Sequence, residues 1–165
     1  MSLQPILSAP VAIQIHAFAA IAAVFLGALV LFRRKGTPLH RLLGRIWAAL
    51  MVVVATSAIF ITEIRMIGPL SPIHLLIPVV YGSLILAVWY IRHGNVTGHR
   101  ATMQSLYFGS LGLAGAFTLL PGRRMHDVLF GVEANWTPSL IALTAVLGAT
   151  LYFWWRLMPR RRVTA

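Results

Sequence analysis

Scanned for charge alone, the chain is a series of long uncharged runs. No charge occurs up to Phe32, and none in Ile46–Thr62, Met66–Ile91, Ala101–Gly122 or Ala134–Trp155. A bilayer core of about 30 Å is crossed by roughly 20 helical residues. The pattern therefore predicts five membrane-spanning helices, near 11–32, 40–62, 72–92, 99–120 and 138–158. Pro10, Pro38, Pro72 and Pro138 stand at or near helix starts, where a missing N–H costs little, and Pro121-Gly122 ends the fourth span. Pro78 falls inside the third span and is expected to bend it. Trp47, Trp89, Tyr90, Trp154 and Trp155 lie toward one set of helix ends and Trp136 toward the other, the distribution of interfacial aromatic belts.

Composition fits this picture. Hydrophobic residues make up 59% of the 165 positions and charged residues 10%, with a mean hydropathy of +0.82. A soluble core of this size cannot hide that much apolar surface. The first span has no basic residue ahead of it and is too long for an ordinary signal-peptide core, so it is expected to stay in the mature chain. With no cysteine, disulfides, thiolate-bound metals and thiol catalysis are excluded.

The net charge of +11 would suggest nucleic acid in a soluble protein. Its placement gives a different reading. Eleven basic residues (Arg33, Arg34, Lys35, Arg41, Arg45, Arg92, Arg100, Arg156 and Arg160 to Arg162) fall on one side of the predicted topology. The other side receives Arg65, Arg123 and Arg124 with all three acids, Glu63, Asp127 and Glu133. By the positive-inside rule the N-terminus is expected outside and the C-terminus in the cytoplasm of a bacterial inner membrane, with the basic loops against anionic headgroups. Membrane lipid is thus an expected partner and nucleic acid is not.

An internal repeat refines the architecture. "FRRKGTPLHR", residues 32–41, overlays "IRHGNVTGHR", residues 91–100: Arg34, Lys35 and Gly36 match Arg92, His93 and Gly94 at an offset of 58, and His40-Arg41 match His99-Arg100 at 59. His16 and His74 are also 58 apart. The expectation is an all-α, single-domain membrane protein whose four-helix core is a duplicated helical hairpin. The repeats cover about 11–63 and 70–121, followed by an outer loop at 122–137 and a fifth helix at about 138–158.

This topology sorts the histidines into two layers. His16 and His74 fall in the outer half, and His40 and His99 near the inner surface, about 24 Å away at 1.5 Å per helical residue. Two imidazoles facing each other across a bundle can ligate a haem iron axially, inside an apolar pocket. Small residues offer room for the ring: Ala12, Ala19, Ala20, Ala23 and Gly27 around His16, Gly44 after His40, and Ser105, Gly109, Gly112 and Ala116 on the fourth span. The same spacing also serves close helix packing. Taken singly, His40 and His99 suit the headgroup region, whereas a deep polar ring such as His16 is costly without a partner. His93 and His126 are expected in loops, solvated. Arg41, Arg45 and Arg100 on the inner side, and Arg123 and Arg124 on the outer, can hold haem propionates or an anionic electron donor, or else lipid phosphate.

Two resemblances follow from these segments. "HRLLGRIW", "SPIHLL", "GHRATM" and "LLPGRRMHDVLFG" resemble the signature segments of a family of small bacterial predicted membrane proteins of unknown function, over His16 to about Gly131. That resemblance implies a membrane fold and no established chemistry. The histidine layout is similar to cytochrome b561-type proteins, whose four-helix core pairs one haem-ligating histidine of the first helix with the third and of the second with the fourth. It implies bis-histidine sites at His16 with His74 and at His40 with His99, two b-type haems, and transmembrane electron transfer between a donor and an acceptor, with further copies of the chain as another expected partner. A second expectation is a non-haem protein that binds or moves a metal ion or small solute through His16, His74 and Glu63. A third is a structural subunit of a membrane complex. No nucleophile triad, phosphate loop or paired-carboxylate site supports a hydrolase or an ATPase.

Overall fold

The computed structural model describes residues 2–62, 71–131 and 136–157. Glu63, Arg65, Glu133 and Arg160 to Arg162 lie outside the described residues.

Every regular element among the described residues is helical. After a short helix α1 (Gln4–Leu7), α2 (Val11–Phe32) fills the first expected span and is apolar on all sides, as a helix among lipid tails requires. Helix α3 (Pro38–Ala58) begins two residues earlier than expected. Thr37 caps it by accepting the His40 backbone N–H at 3.1 Å, and Pro38 takes the first helical position, where no N–H is needed. The third span opens as a 3₁₀ turn, Pro72–Leu75, and continues as α4 (Leu76–Arg92). Pro78 therefore does not bend an established helix. It sits in the first turn of α4, where its missing N–H falls among donors that lack helical partners in any case.

The fourth span runs without a break through α5 (Val96–Ser105), a π-helical stretch (Leu106–Leu111) and α6 (Gly112–Thr118). The segment expected as the outer loop contains a short helix, α7 (Arg124–Phe130), followed by α8 (Trp136–Leu157). Four helical segments among the described residues are long and apolar enough to cross a membrane: Val11–Phe32, Pro38–Ala58, Ile73–Arg92 and Trp136–Arg156. The fourth expected span differs from them in its polar opening turns, with Thr97, His99, Arg100, Thr102 and Gln104, and in its π interruption.

Packing turns these helices into a ring. α2 lies along α3, α3 against α4 and α4 against α5, and the π stretch returns to α2. α2 thus stands opposite α4, and α3 opposite α5. α8 packs outside the ring against the π stretch and α6, while α1 and α7 pack together, joined by the Arg124 Nη1 donation to the Pro5 carbonyl at 2.9 Å.

The middle of the ring is filled. Trp47 is 2% exposed, donates its indole N–H to the Ala23 carbonyl at 2.9 Å, and packs with Met51, Ala55, Val80, Leu84 and Leu106. It is a core residue and not a member of an interfacial belt, because Gly27 opens the space its indole takes. A Cβ built on Gly27 would lie 2.5 Å from Trp47 Nε1 and equally close to the Tyr107 ring. Tyr107 closes the same contact by donating to the Val24 carbonyl at 3.0 Å. Trp89, Trp136 and Trp155 are exposed.

Candidate functional site

The two repeat segments fold into the same local device. α2 and α4 each run into a turn whose glycine takes positive φ, Gly36 at +82° and Gly94 at +72°. The next residue caps the following helix: Thr37 accepts from the His40 N–H and Asn95 from the Gly98 N–H at 2.8 Å. Each turn is followed by a histidine at the start of the next helix. His99 Nδ1 donates to the Ala87 carbonyl of α4 at 2.9 Å, while the His40 ring makes no described hydrogen bond.

The devices stand side by side at what is here termed the basic end of the ring. Lys35 and His99 are close enough to His40 to act on it electrostatically, and Arg100 acts on Lys35. Burial first, and the Arg100 guanidinium second, hold the Lys35 ammonium below the usual lysine range. Lys35 also donates to the Leu31 carbonyl at 3.0 Å. Arg41, Arg45 and Arg100 are exposed around this pair. The described acid, Asp127, belongs to α7 at the opposite end. Among the described residues, the basic end thus has a strongly positive surface with no carboxylate.

The opposite end holds the other two histidines. His16 Nδ1 bonds the Val54 carbonyl of α3 at 3.0 Å and lies 3.2 Å from Ser57 Oγ. His74 is tied into its own turn: its Nδ1 receives the Ser71 backbone N–H at 3.1 Å and lies 3.2 Å from the Ser71 carbonyl. Its Nε2 is buried without a partner, as is Nδ1 of His40. His99 lies within electrostatic range of His40, but no described contact joins His40 to His99 or His16 to His74. Each expected pair nevertheless takes its members from opposed sides of the ring. No group of three or more His, Asp or Glu among the described residues is placed to hold a metal ion.

Arg123 and Arg124 are employed in the fold. The Arg123 guanidinium lies over the Phe117 ring at 4.5 Å and Arg124 reaches the Pro5 carbonyl. His93 is exposed, bonded to the Trp89 carbonyl and stacked beside that indole. His126 departs from expectation. It is 1% exposed, with Nδ1 3.2 Å from Asp127 Oδ1, and it packs edge-on against Phe130. The burial comes from the packing of α7 on α1, with Met125, Val128 and Leu129 recurring at helical spacing along α7.

The small residues divide by role. Ala23 and Gly27 accommodate Trp47 and Tyr107, and Gly112 accommodates Thr150 of α8. Ser105 and Gly109 instead border a cavity of about 450 Å³ between α4 and α5, which none of the histidines lines.

The chain matches no curated protein and no solved structure. The family model described as "Predicted membrane protein (DUF2306)" matches residues 13–155, from the first turn of α2 to the last turns of α8. With helices of membrane-spanning length and apolarity throughout that range, the chain belongs to this family of predicted membrane proteins of unknown function.

Proposed function

We propose that the chain is a five-crossing membrane electron carrier, built on a duplicated hairpin, that holds b-type haem between His40 and His99 at the basic end and between His16 and His74 at the other. One observation carries this reading. His40 and His99 come from matching turns of different hairpins and lie within electrostatic range of each other, His99 with one ring nitrogen bonded to a backbone carbonyl and His40 with Nδ1 buried and unpartnered. Metal-ligating histidines are held as His99 is, with the second nitrogen left for the metal. His16 has the same arrangement through Val54, whereas His74 Nδ1 accepts the Ser71 backbone N–H. The centre is filled by Trp47 and Met51, so a macrocycle would have to lie in the end layers.

Bound there, haem supplies one-electron redox chemistry. The chain's own residues hold the ring by imidazole, surround it with apolar side chains and set charge beside it. Arg41, Arg45 and Arg100 raise the positive potential at the basic end and suit propionate carboxylates. Membranes from haem-sufficient cells, solubilised and purified without added metal, should show a Soret band and α bands that sharpen on reduction. A colourless protein that takes up no haem on reconstitution would overturn the electron-carrier reading.

The same bonds support a second reading, in which the histidines are ties that lock each hairpin. His16 joins α2 to α3, and His99 joins α5 to α4, with no cofactor required.

The basic end belongs in the cytoplasm by the positive-inside rule, since α2 and α4 both run toward it and α8 ends there, Phe153 lying 5.7 Å from Phe32. A reporter active only in the periplasm, fused after Ala165, should give no signal, and a cytoplasm-active reporter at the same point should give a full one. The reverse result would turn the topology over.

A further inference from the structure

The cavity between α4 and α5 is independent of the histidines, and its lining is specific in chemistry. α4 and α5 are clamped at the basic end, where Gly98 lets the Tyr90 ring approach to within 2.9 Å of where a Cβ would stand, and where His99 holds the Ala87 carbonyl. Farther along, α6 packs on α8. A groove of about 450 Å³ opens along this stretch, bordered by Val79 and Ser83 of α4, by Thr102 and Ser105 of α5, and by Gly109 and Ser110 of the π stretch. Small-molecule sites commonly occupy about 300–1,000 Å³.

Three hydroxyls in this wall leave their bonding capacity unused. In an apolar helix a serine or threonine ordinarily satisfies itself by bonding back to the carbonyl three or four residues earlier. Thr56, Ser57, Thr118 and Thr144 all do so, and so does Thr102 at the groove's edge. Ser83, Ser105 and Ser110 make no described hydrogen bond, although Ser110 is only 6% exposed. An unpartnered hydroxyl away from water costs on the order of 1–3 kcal/mol. None of these three oxygens is enclosed in protein, so each is open to oxygen atoms that arrive with a ligand. The π register contributes at Ser110, because N–H groups that reach back five residues shift the carbonyl a serine would otherwise use. Such π stretches recur at functional sites.

The lining also defines the ligand's charge. Among the described residues no acidic, basic or imidazole side chain borders the groove, so an ion entering it would be desolvated with no opposite charge to meet. α4 is of membrane-spanning length and apolarity, which makes the lipid phase the source. We infer that the α4–α5 groove is a binding site for a neutral, mainly apolar molecule of the lipid phase that carries one or two hydroxyl or carbonyl oxygens, held by Ser83, Ser105 and Ser110.

The test uses the full chain in phosphatidylcholine nanodiscs with a diazirine-bearing decanol as photoprobe and mass spectrometry of the adducts. Labelling should concentrate in residues 76–83 and 101–110. Unlabelled 1-decanol should compete it away at least fivefold, while decane, decyl phosphate and decyltrimethylammonium should not. A Cβ on Gly109 meets nothing within 4 Å, so Gly109→Leu fills the groove without a backbone clash and should reduce labelling at least tenfold. The combined Ser83→Ala, Ser105→Ala and Ser110→Ala variant removes only oxygen atoms, and in it decanol should compete no better than decane. Labelling spread evenly over the lipid-facing helices, or equal competition by decane in the unmodified chain, would overturn the site. A Gly109→Leu variant that dissociates a dimer while decanol fails to compete would instead assign the groove to a second copy of the chain, which also overturns the inference.

Discussion

Replacing Trp47 by alanine should destabilise the protein by about 3–5 kcal/mol, the range for emptying a large aromatic site in a packed core. The indole is 2% exposed and lies where α2, α3 and the π stretch converge, with its N–H on the Ala23 carbonyl and its ring 6.4 Å from that of Tyr107. In a bilayer, lipid tails are as apolar as the core, so helices associate through close packing and a few hydrogen bonds. A void at this point forfeits contacts that lipid cannot restore. Trp89→Ala is the control: that side chain is 52% exposed, and its removal should move stability by less than about 1 kcal/mol, in keeping with surface substitutions. Unfolding by SDS titration in mixed micelles reads both. Equal losses for the two variants would mean that Trp47 is not the keystone of the ring.

Trp47 also shows where the sequence stops being explicit. Its position seven residues after His40, at the start of an apolar run, matches that of a belt tryptophan, and a belt is what position alone predicts. The distinguishing residue is Gly27, far away in sequence, and its significance emerges only when α2 is laid beside α3. The helix limits are far more legible. Pro10, Pro38 and the Gly36 and Gly94 turns punctuate the chain by local chemistry, so α2 and the end of α4 fall where the charge-free runs place them. α3 starts early because the Thr37 cap precedes the apolar run, a signal readable from a threonine followed by proline.

The candidate site divides in the same way. That His40 and His99 occupy equivalent turns is visible in the "GTPLHR" and "GNVTGHR" segments, because glycine, cap residue and histidine follow one another at nearly fixed spacing. That His99 bonds the preceding helix is not visible, since Ala87 contributes a backbone carbonyl that carries no side-chain signature. The burial of His126 is a tertiary effect of α7 meeting α1, two elements too short to register in a search for membrane-length runs. The π stretch leaves no compositional mark either. Ser105 is readable as part of a small-residue face, whereas the lack of partners at Ser105 and Ser110 shows only in the folded chain.

The histidines themselves decide between a cofactor site and a set of hairpin ties, because the two roles differ in size and in additivity. As ties, His16→Ala and His99→Ala each remove one interhelical hydrogen bond, worth about 0.6 kcal/mol on average within membranes. Any colour would be untouched, and the losses, from bonds in different hairpins, should sum. As ligands, His40→Ala and His99→Ala should each abolish one haem completely, and the double variant should lose no more than either single one, since residues acting as one unit are not additive. His16→Ala and His74→Ala should form a second such unit, and one substitution from each unit should remove both haems. His93→Ala serves as the reference, because that ring is exposed and bonded only to the Trp89 carbonyl; it should retain full occupancy. Haem content per chain, from the pyridine haemochrome spectrum, measures every variant on one scale. Should His40→Ala and His99→Ala leave that content unchanged while His16→Ala abolishes it, the protein holds a single haem away from the basic end, and electron transfer between two haems across the membrane is ruled out.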